Sequence, residues 1–144
     1  MNRRSILKGT GAAAFLPLVL GQKLFAQDTP NITPDTVYEL SVYHLHEGKL
    51  PLLLDRFTNN AQRLFTRHNM HPVAYWVPTD PPLAGCTFIY ILRHPSRDAA
   101  DANWAKFRAD PDWIALRAHT EKDGPFIISD DSTFMKLTDF SPQI

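Results

Sequence analysis

Hydrophobic and polar positions along this chain switch repeatedly between a period of two and a period near 3.6, and each switch marks a new element. Thr36 to His44 alternates and reads as a strand, with Tyr38, Leu40, Val42 and His44 on one face and the more polar Val37, Glu39, Ser41 and Tyr43 on the other. From Lys49 to about Arg67 the spacing becomes helical. Leu50, Leu53, Leu54, Phe57, Ala61, Leu64 and Phe65 form the apolar stripe, with Arg56, Asn59, Asn60 and Arg63 off it and Pro51 in the first turn. Met70 to Pro78 is a second strand, closed by the proline-rich turn Thr79 to Gly85. Cys86 to His94 is apolar at nearly every position and is expected to be a strand buried on both faces. Ser96 then caps a helix running to about Ala109, with Ala100, Trp104 and Phe107 inward. Asp110-Pro111 breaks it, and Asp110 caps a short third helix, Asp112 to about Lys122, that turns Trp113 and Leu116 inward. Gly124-Pro125 stops that helix; residues 126–131 read as an irregular extended segment and Thr133 to Phe140 as the last strand.

The order β-α-β-β-α-(α)-β predicts an α+β domain of the ferredoxin-like, split βαβ type: an antiparallel sheet with helices on one face. The opposite sheet face is then bare. Large apolar patches are rare on monomers, so a second copy is the expected cover, giving a two-fold homodimer in which the sheets face each other as a dimeric α+β barrel.

Residues 1–27 carry a different pattern. Arg3-Arg4-Ser5-Ile6-Leu7-Lys8 fits the twin-arginine signal R-R-x-Φ-L-K, and about a dozen apolar residues follow from Gly9 to Leu20. That is too short for ~30 Å of hydrocarbon, so a cleaved export signal ending near Ala26 is expected rather than an anchor. The expected organisation is a signal peptide (1–27), a linker (28–35) and one α+β domain (36–142), working in the periplasm with no stable membrane anchor after cleavage. Cleavage changes the charge. Arg3, Arg4, Lys8 and Lys23 leave with the signal, so 11 of the 15 basic residues remain against 15 acidic ones. An acidic product without a basic cluster argues against nucleic acid as a partner. Cys86 is the one cysteine, which excludes an intrachain disulfide, and its apolar neighbours point to a buried thiol.

Candidate chemistry centres on the polar face of the first strand. Glu39, Ser41 and Tyr43 would form a polar spot in an apolar interior, with Trp76, Tyr90 and Arg93 walling or anchoring the same pocket from the middle strands. Glu39 is expected to be desolvated, its pKa raised, with Tyr43 as hydrogen-bond partner; the plainer alternative is a structural pair between Glu39 and Arg93. Trp104, Phe107 and Trp113 read first as core, and His119 and Glu121 as a solvated helix face or the border of a pocket mouth. His44 and His46, with Glu47 behind them and His71 further on, are metal-ligand types, but no paired ligand motif accompanies them, so no metal site is expected. Phosphate-loop, dinucleotide, nucleophile-elbow and zinc-protease motifs do not occur, and no cofactor is expected.

Several segments together resemble the NIPSNAP family. They are Val37-Tyr38-Glu39-Leu40 with Tyr43 and Gly48-Lys49-Leu50, then Tyr75-Trp76-Val77-Pro78, then Trp104-Ala105-Lys106-Phe107 with Asp110-Pro111-Asp112-Trp113, and finally Glu121 to Pro125 and Phe140-Ser141-Pro142. The resemblance spans roughly residues 36–142 and implies a dimeric α+β barrel. Ser41 stands where the family opening often has arginine. Three functions compete: a small-molecule-binding protein, a cofactor-independent enzyme of monooxygenase or isomerase type, and a protein-interaction module. A polar-dotted cavity favours the first two and a filled interior the third.

Overall fold

The computed structural model of the chain describes residues 31–142 and 144; the expected export signal lies outside the described residues. Strand β1 (Val37–Leu45) leads into α1 (Leu50–Arg56), a π-helical segment (Phe57–Ala61) and α2 (Gln62–Arg67), which run on without a break. Strands β2 (His71–Trp76) and β3 (Thr87–His94) follow, then α3 (Arg97–Ala109), α4 (Pro111–Thr120) and β4 (Ile127–Met135). The sheet order is β2-β3-β1-β4 with every pair antiparallel. Each helical connection therefore joins strands separated by one antiparallel strand, which is the split βαβ arrangement expected from the element order.

Local chemistry sets the boundaries. The Ser96 hydroxyl accepts from the Ala99 N–H at 3.1 Å, and Asp110 accepts from the Asp112 N–H at 2.8 Å, so both later helices begin on side-chain caps. Asp110 also accepts from His68 at 2.6 Å and from Arg67 at 3.1 Å, tying the end of α2 to the start of α4. The His68 bond, followed by the Asp112 amide and Arg67, draws the Asp110 carboxyl down to about 2 against the opposing effect of burial. Asn69 turns the chain out of α2 with φ 56°, a left-handed conformation that asparagine tolerates.

The helices cover one sheet face. Leu53, Phe57, Leu64, Phe65, Phe88, Tyr90, Leu92 and Phe107 form the core between them. Strand β3 departs from its expected two-sided burial: Phe88, Tyr90, Leu92 and His94 are buried under the helices, while Ile89, Ile91 and Arg93 on the other face are half-buried. The last strand also lies earlier than its expected position, since Ile127–Met135 pairs with β1 and Phe140 is 89% exposed. An edge strand pairs along one side only, which allows Ser129 to Ser132 to stay polar and solvated within a regular ladder. Cys86 is half-buried rather than enclosed, its thiol donating to the Pro82 carbonyl at 3.3 Å.

Candidate functional site

Between the helix-covered sheet face and the helices lies a cavity of about 520 Å³. Glu39, Ser41 and Tyr43 of β1, Tyr90 of β3 and Ser132 and Phe134 of β4 form its sheet wall. Phe57 and Phe65 of the first helix with Trp104, Phe107 and Trp113 supply an aromatic wall opposite. These rings hold one another: Phe65 lies 5.1 Å from Phe107, and Phe107 lies 4.7 Å from Trp113. Trp104, Phe107 and Trp113 are thus both core and cavity wall.

Pairing register decides which candidates meet. Glu39 stands opposite Leu92, Ser41 opposite Tyr90 and Tyr43 opposite Phe88, so the polar face of β1 meets the buried face of β3. The same register puts Arg93 opposite Tyr38, and Trp76 opposite Ile89, on the far side of the sheet. Trp76 and Arg93 therefore do not line the cavity; Trp76 is 46% exposed, and Arg93 reaches the Ile144 carbonyl at 3.5 Å. The expected pair between Glu39 and Arg93 is corrected on the same ground.

Glu39 has three other partners. His94 Nε2 donates to its Oε2 at 3.0 Å, Trp104 Nε1 donates to the same oxygen at 2.7 Å, and Ser132 Oγ donates to Oε1 at 2.7 Å. Burial pushes the carboxyl up, but the bonds from His94, Trp104 and Ser132 outweigh it, so Glu39 sits below its ordinary 4.5. The expected upward shift is reversed, because each bond to a charged acceptor stabilises it by about 1.5–3 kcal/mol, while burying a carboxylate costs several. Tyr43 is also not its partner: the Tyr43 and Tyr90 hydroxyls bond each other at 2.6 Å. Desolvation raises Tyr43 to about 12 and Tyr90 well above its ordinary value, so both stay neutral phenols across the physiological range.

Among the residues of the site that the pattern does not single out are Ser132, His94 and Arg56. His94 was read only as the end of a strand. Arg56 was placed off the apolar stripe, yet it is 2% exposed, lines the cavity and donates from Nη2 to Glu121 Oε1 at 2.9 Å. Its guanidinium rests 4.2 Å from the centre of the Phe126 ring. Glu121 thus belongs to the cavity wall, whereas His119 is exposed. The His44 segment stays apart: His44 pairs with Asp131 at 3.2 Å and His46 is exposed. Among the described residues no group of three or more His, Cys, Asp or Glu is placed to hold a metal ion, and no helix is long and apolar enough to cross a membrane.

The fold is shared with solved structures. A NIPSNAP-like domain protein from Burkholderia xenovorans superposes with TM-score 0.66 at 14% identity, over 76% of this chain and 91% of that one. A NIPSNAP family protein from Agrobacterium tumefaciens superposes with TM-score 0.65 at 23% identity, over 76% and 94%. More distant is a monooxygenase from Streptomyces coelicolor in complex with the ligand nanaomycin D, with TM-score 0.52 at 17% identity over 74% and 92%. No curated protein matches the chain significantly. The NIPSNAP family model matches residues 38–142, from the strand that carries Glu39 past the strand that carries Ser132, and the chain belongs to the NIPSNAP family.

Proposed function

We propose that the chain is an exported small-molecule-binding protein whose ligand occupies the cavity between the sheet and its helices. The observation that carries this reading is the cavity itself: about 520 Å³, with an aromatic wall of Phe57, Phe65, Trp104, Phe107 and Trp113 and polar and charged side chains over the rest of its lining. Ligand sites combine apolar walls, which give affinity, with polar groups that fix orientation. A filled interior would instead have favoured a pure interaction module.

The half-buried Leu40, Val42, Ile89 and Ile91, with the exposed Trp76, make an apolar patch on the outer sheet face. It supports a homodimer formed by that face. The Arg3-Arg4 motif supports twin-arginine export to the periplasm.

A cofactor-independent enzyme is the second reading, favoured by the fold shared with the Streptomyces coelicolor monooxygenase. The wall chemistry weighs against it. A general base works best with a pKa near the working pH, but Glu39 is held below its ordinary value and three donors occupy it. Tyr43 at about 12 is a weak acid.

Native mass spectrometry of protein taken from the periplasm tests the proposal. The expected species is a dimer carrying a small molecule that leaves on denaturation. Freshly isolated protein that is consistently bare, and that takes up no aromatic probe, would overturn the binding reading.

A further inference from the structure

The two helices beside the cavity repeat one short pattern. Trp104 is followed four residues later by Arg108 on α3, and Trp113 by Arg117 on α4. Residues four apart share a helix face, and all four of these line the cavity. The two indoles are joined through Phe107, whose ring lies 5.4 Å from Trp104 and 4.7 Å from Trp113. Arg108 and Arg117 therefore stand beside one continuous aromatic surface, the Arg108 guanidinium 5.7 Å from the centre of the Trp104 ring. A second, smaller hollow of about 360 Å³ lies against Trp113 and Ile114, and both arginines border it as well, so they face one shared space. That space is open to them: Arg108 is exposed, and the Arg117 side chain is 63% exposed.

Most of their donors are uncommitted. Arg117 gives Nε to Glu121 at 3.1 Å, and its two Nη groups meet no acceptor among the described residues. Arg108 has no carboxylate partner among the described residues. Three guanidiniums of the lining, Arg56, Arg108 and Arg117, thus stand against the single carboxylate of Glu121. Burial, and after it the charge of Arg117, lower the Arg56 pKa against the pull of Glu121, so Arg56 and Arg117 repel each other across it. The other carboxylates of the lining are placed elsewhere. Asp101 pairs with Arg97, Glu39 is held by its three donors, and Asp130 stands on β4 in register with Tyr43. We propose that Arg108 and Arg117 form the anion clamp of the site, and that its ligand is an aromatic carboxylic acid whose ring packs on Trp104 and Trp113. The inference rests on the cavity being the binding site. A carboxylate fits the planar donor fork of a guanidinium, and two such forks on one space hold it in place. A planar ring fits the indole surface beside them.

The test is calorimetry with 2-naphthoate and 2-naphthamide, two probes of one shape that differ in charge. At neutral pH the wild type is expected to bind the carboxylate about tenfold more tightly, as a charge-assisted hydrogen bond implies. Arg108→Gln and Arg117→Gln should each cut that preference by about threefold. In the double variant the two affinities should converge to within about twofold, with amide binding unchanged. Arg63→Gln removes an exposed arginine outside the lining and should leave the preference intact. Both clamp side chains are exposed, so the variants are expected to fold; if the double variant does not, the wild type and the single variants still decide. Equal affinity of both probes for the wild type overturns the clamp and leaves the cavity reading standing. A carboxylate preference that survives the substitutions at Arg108 and Arg117, or that Arg63→Gln weakens as much as they do, belongs to another group or to net charge and also overturns it. Binding of neither probe removes the cavity reading and the clamp with it.

Discussion

The two faces of the sheet use the same strands and follow opposite logic. Under the helices the wall carries a charge, Glu39, among Ser41, Tyr43 and Tyr90. On the outer face the equivalent positions are Leu40, Val42, Ile89 and Ile91, apolar yet only half-buried. The charged face is enclosed because the chain supplies its own compensation, one donor each from β3, α3 and β4 for Glu39. The apolar face has no such partner among the described residues. Polarity placed inside with three fitted donors marks a built cavity, and apolar surface left outside marks a place for another surface to cover.

A charge on the outer face is the harshest way to break this contrast. Ile91→Asp places a carboxylate at the centre of the proposed dimer contact, where an unpaired buried charge costs about 3 kcal/mol or more. The expected outcome is monomer in native mass spectrometry at concentrations where the wild type is a dimer. On a free, solvated face the same change would alter stability by about 0.5 kcal/mol and leave the mass unchanged, which would sink the dimer proposal.

On the inner face Glu39→Gln is the matching test. It removes the charge and replaces one acceptor oxygen with an NH2 group, spoiling one or two of the three bonds, and is expected to cost about 2 kcal/mol in denaturant unfolding at neutral pH. The pH dependence has a definite sign. The folded pKa of Glu39 lies below its ordinary 4.5, so its stabilisation is present above the ordinary value and is lost as pH falls through the folded one. The difference between wild type and Glu39→Gln should therefore shrink in acid. A gap that widens there would mean that burial, rather than the three donors, sets the Glu39 pKa.

Much of this architecture was legible in the alternation of β1, the apolar run of β3 and the stripe of the first helix, because burial leaves a pattern that survives in sequence. The polarity of Glu39, Ser41 and Tyr43 also marked the face that lines the cavity. What stayed hidden depends on register and geometry. Arg93 and His94 are neighbours, and antiparallel pairing alone decides that His94 reaches Glu39 while Arg93 points away. Trp104 reads as core, and nothing in its spacing reveals that its indole N–H ends on a carboxylate; counting burial without that donor gives the wrong sign for the Glu39 pKa. Arg56 stands on the flank of its stripe, and the π-turn beside it has no sequence signature. Strand β4 was shifted because Ser-Asp-Asp-Ser looks like loop until its place at the sheet edge is known.

The smallest expected effect separates the faces by their tyrosines. Tyr43, Tyr75 and Tyr90 all pack with the helix-side core, and desolvation raises Tyr43 and Tyr75 to about 12 and Tyr90 well above its ordinary value. A raised folded pKa means that the stabilisation is complete below the ordinary value of 10 and is lost as pH rises through the folded value. Absorbance at 295 nm should therefore show three of the four tyrosines un-ionised at pH 11 in the folded protein, with their phenolate signal arriving together with unfolding. Tyr43→Phe removes one of them and breaks the hydroxyl pair, leaving the Tyr90 oxygen without its 2.6 Å partner. Its expected cost is about 1 kcal/mol. If instead three tyrosines titrate freely near pH 10 while the fold persists, water reaches the tyrosine hydroxyls and the sheet wall of the cavity is not desolvated.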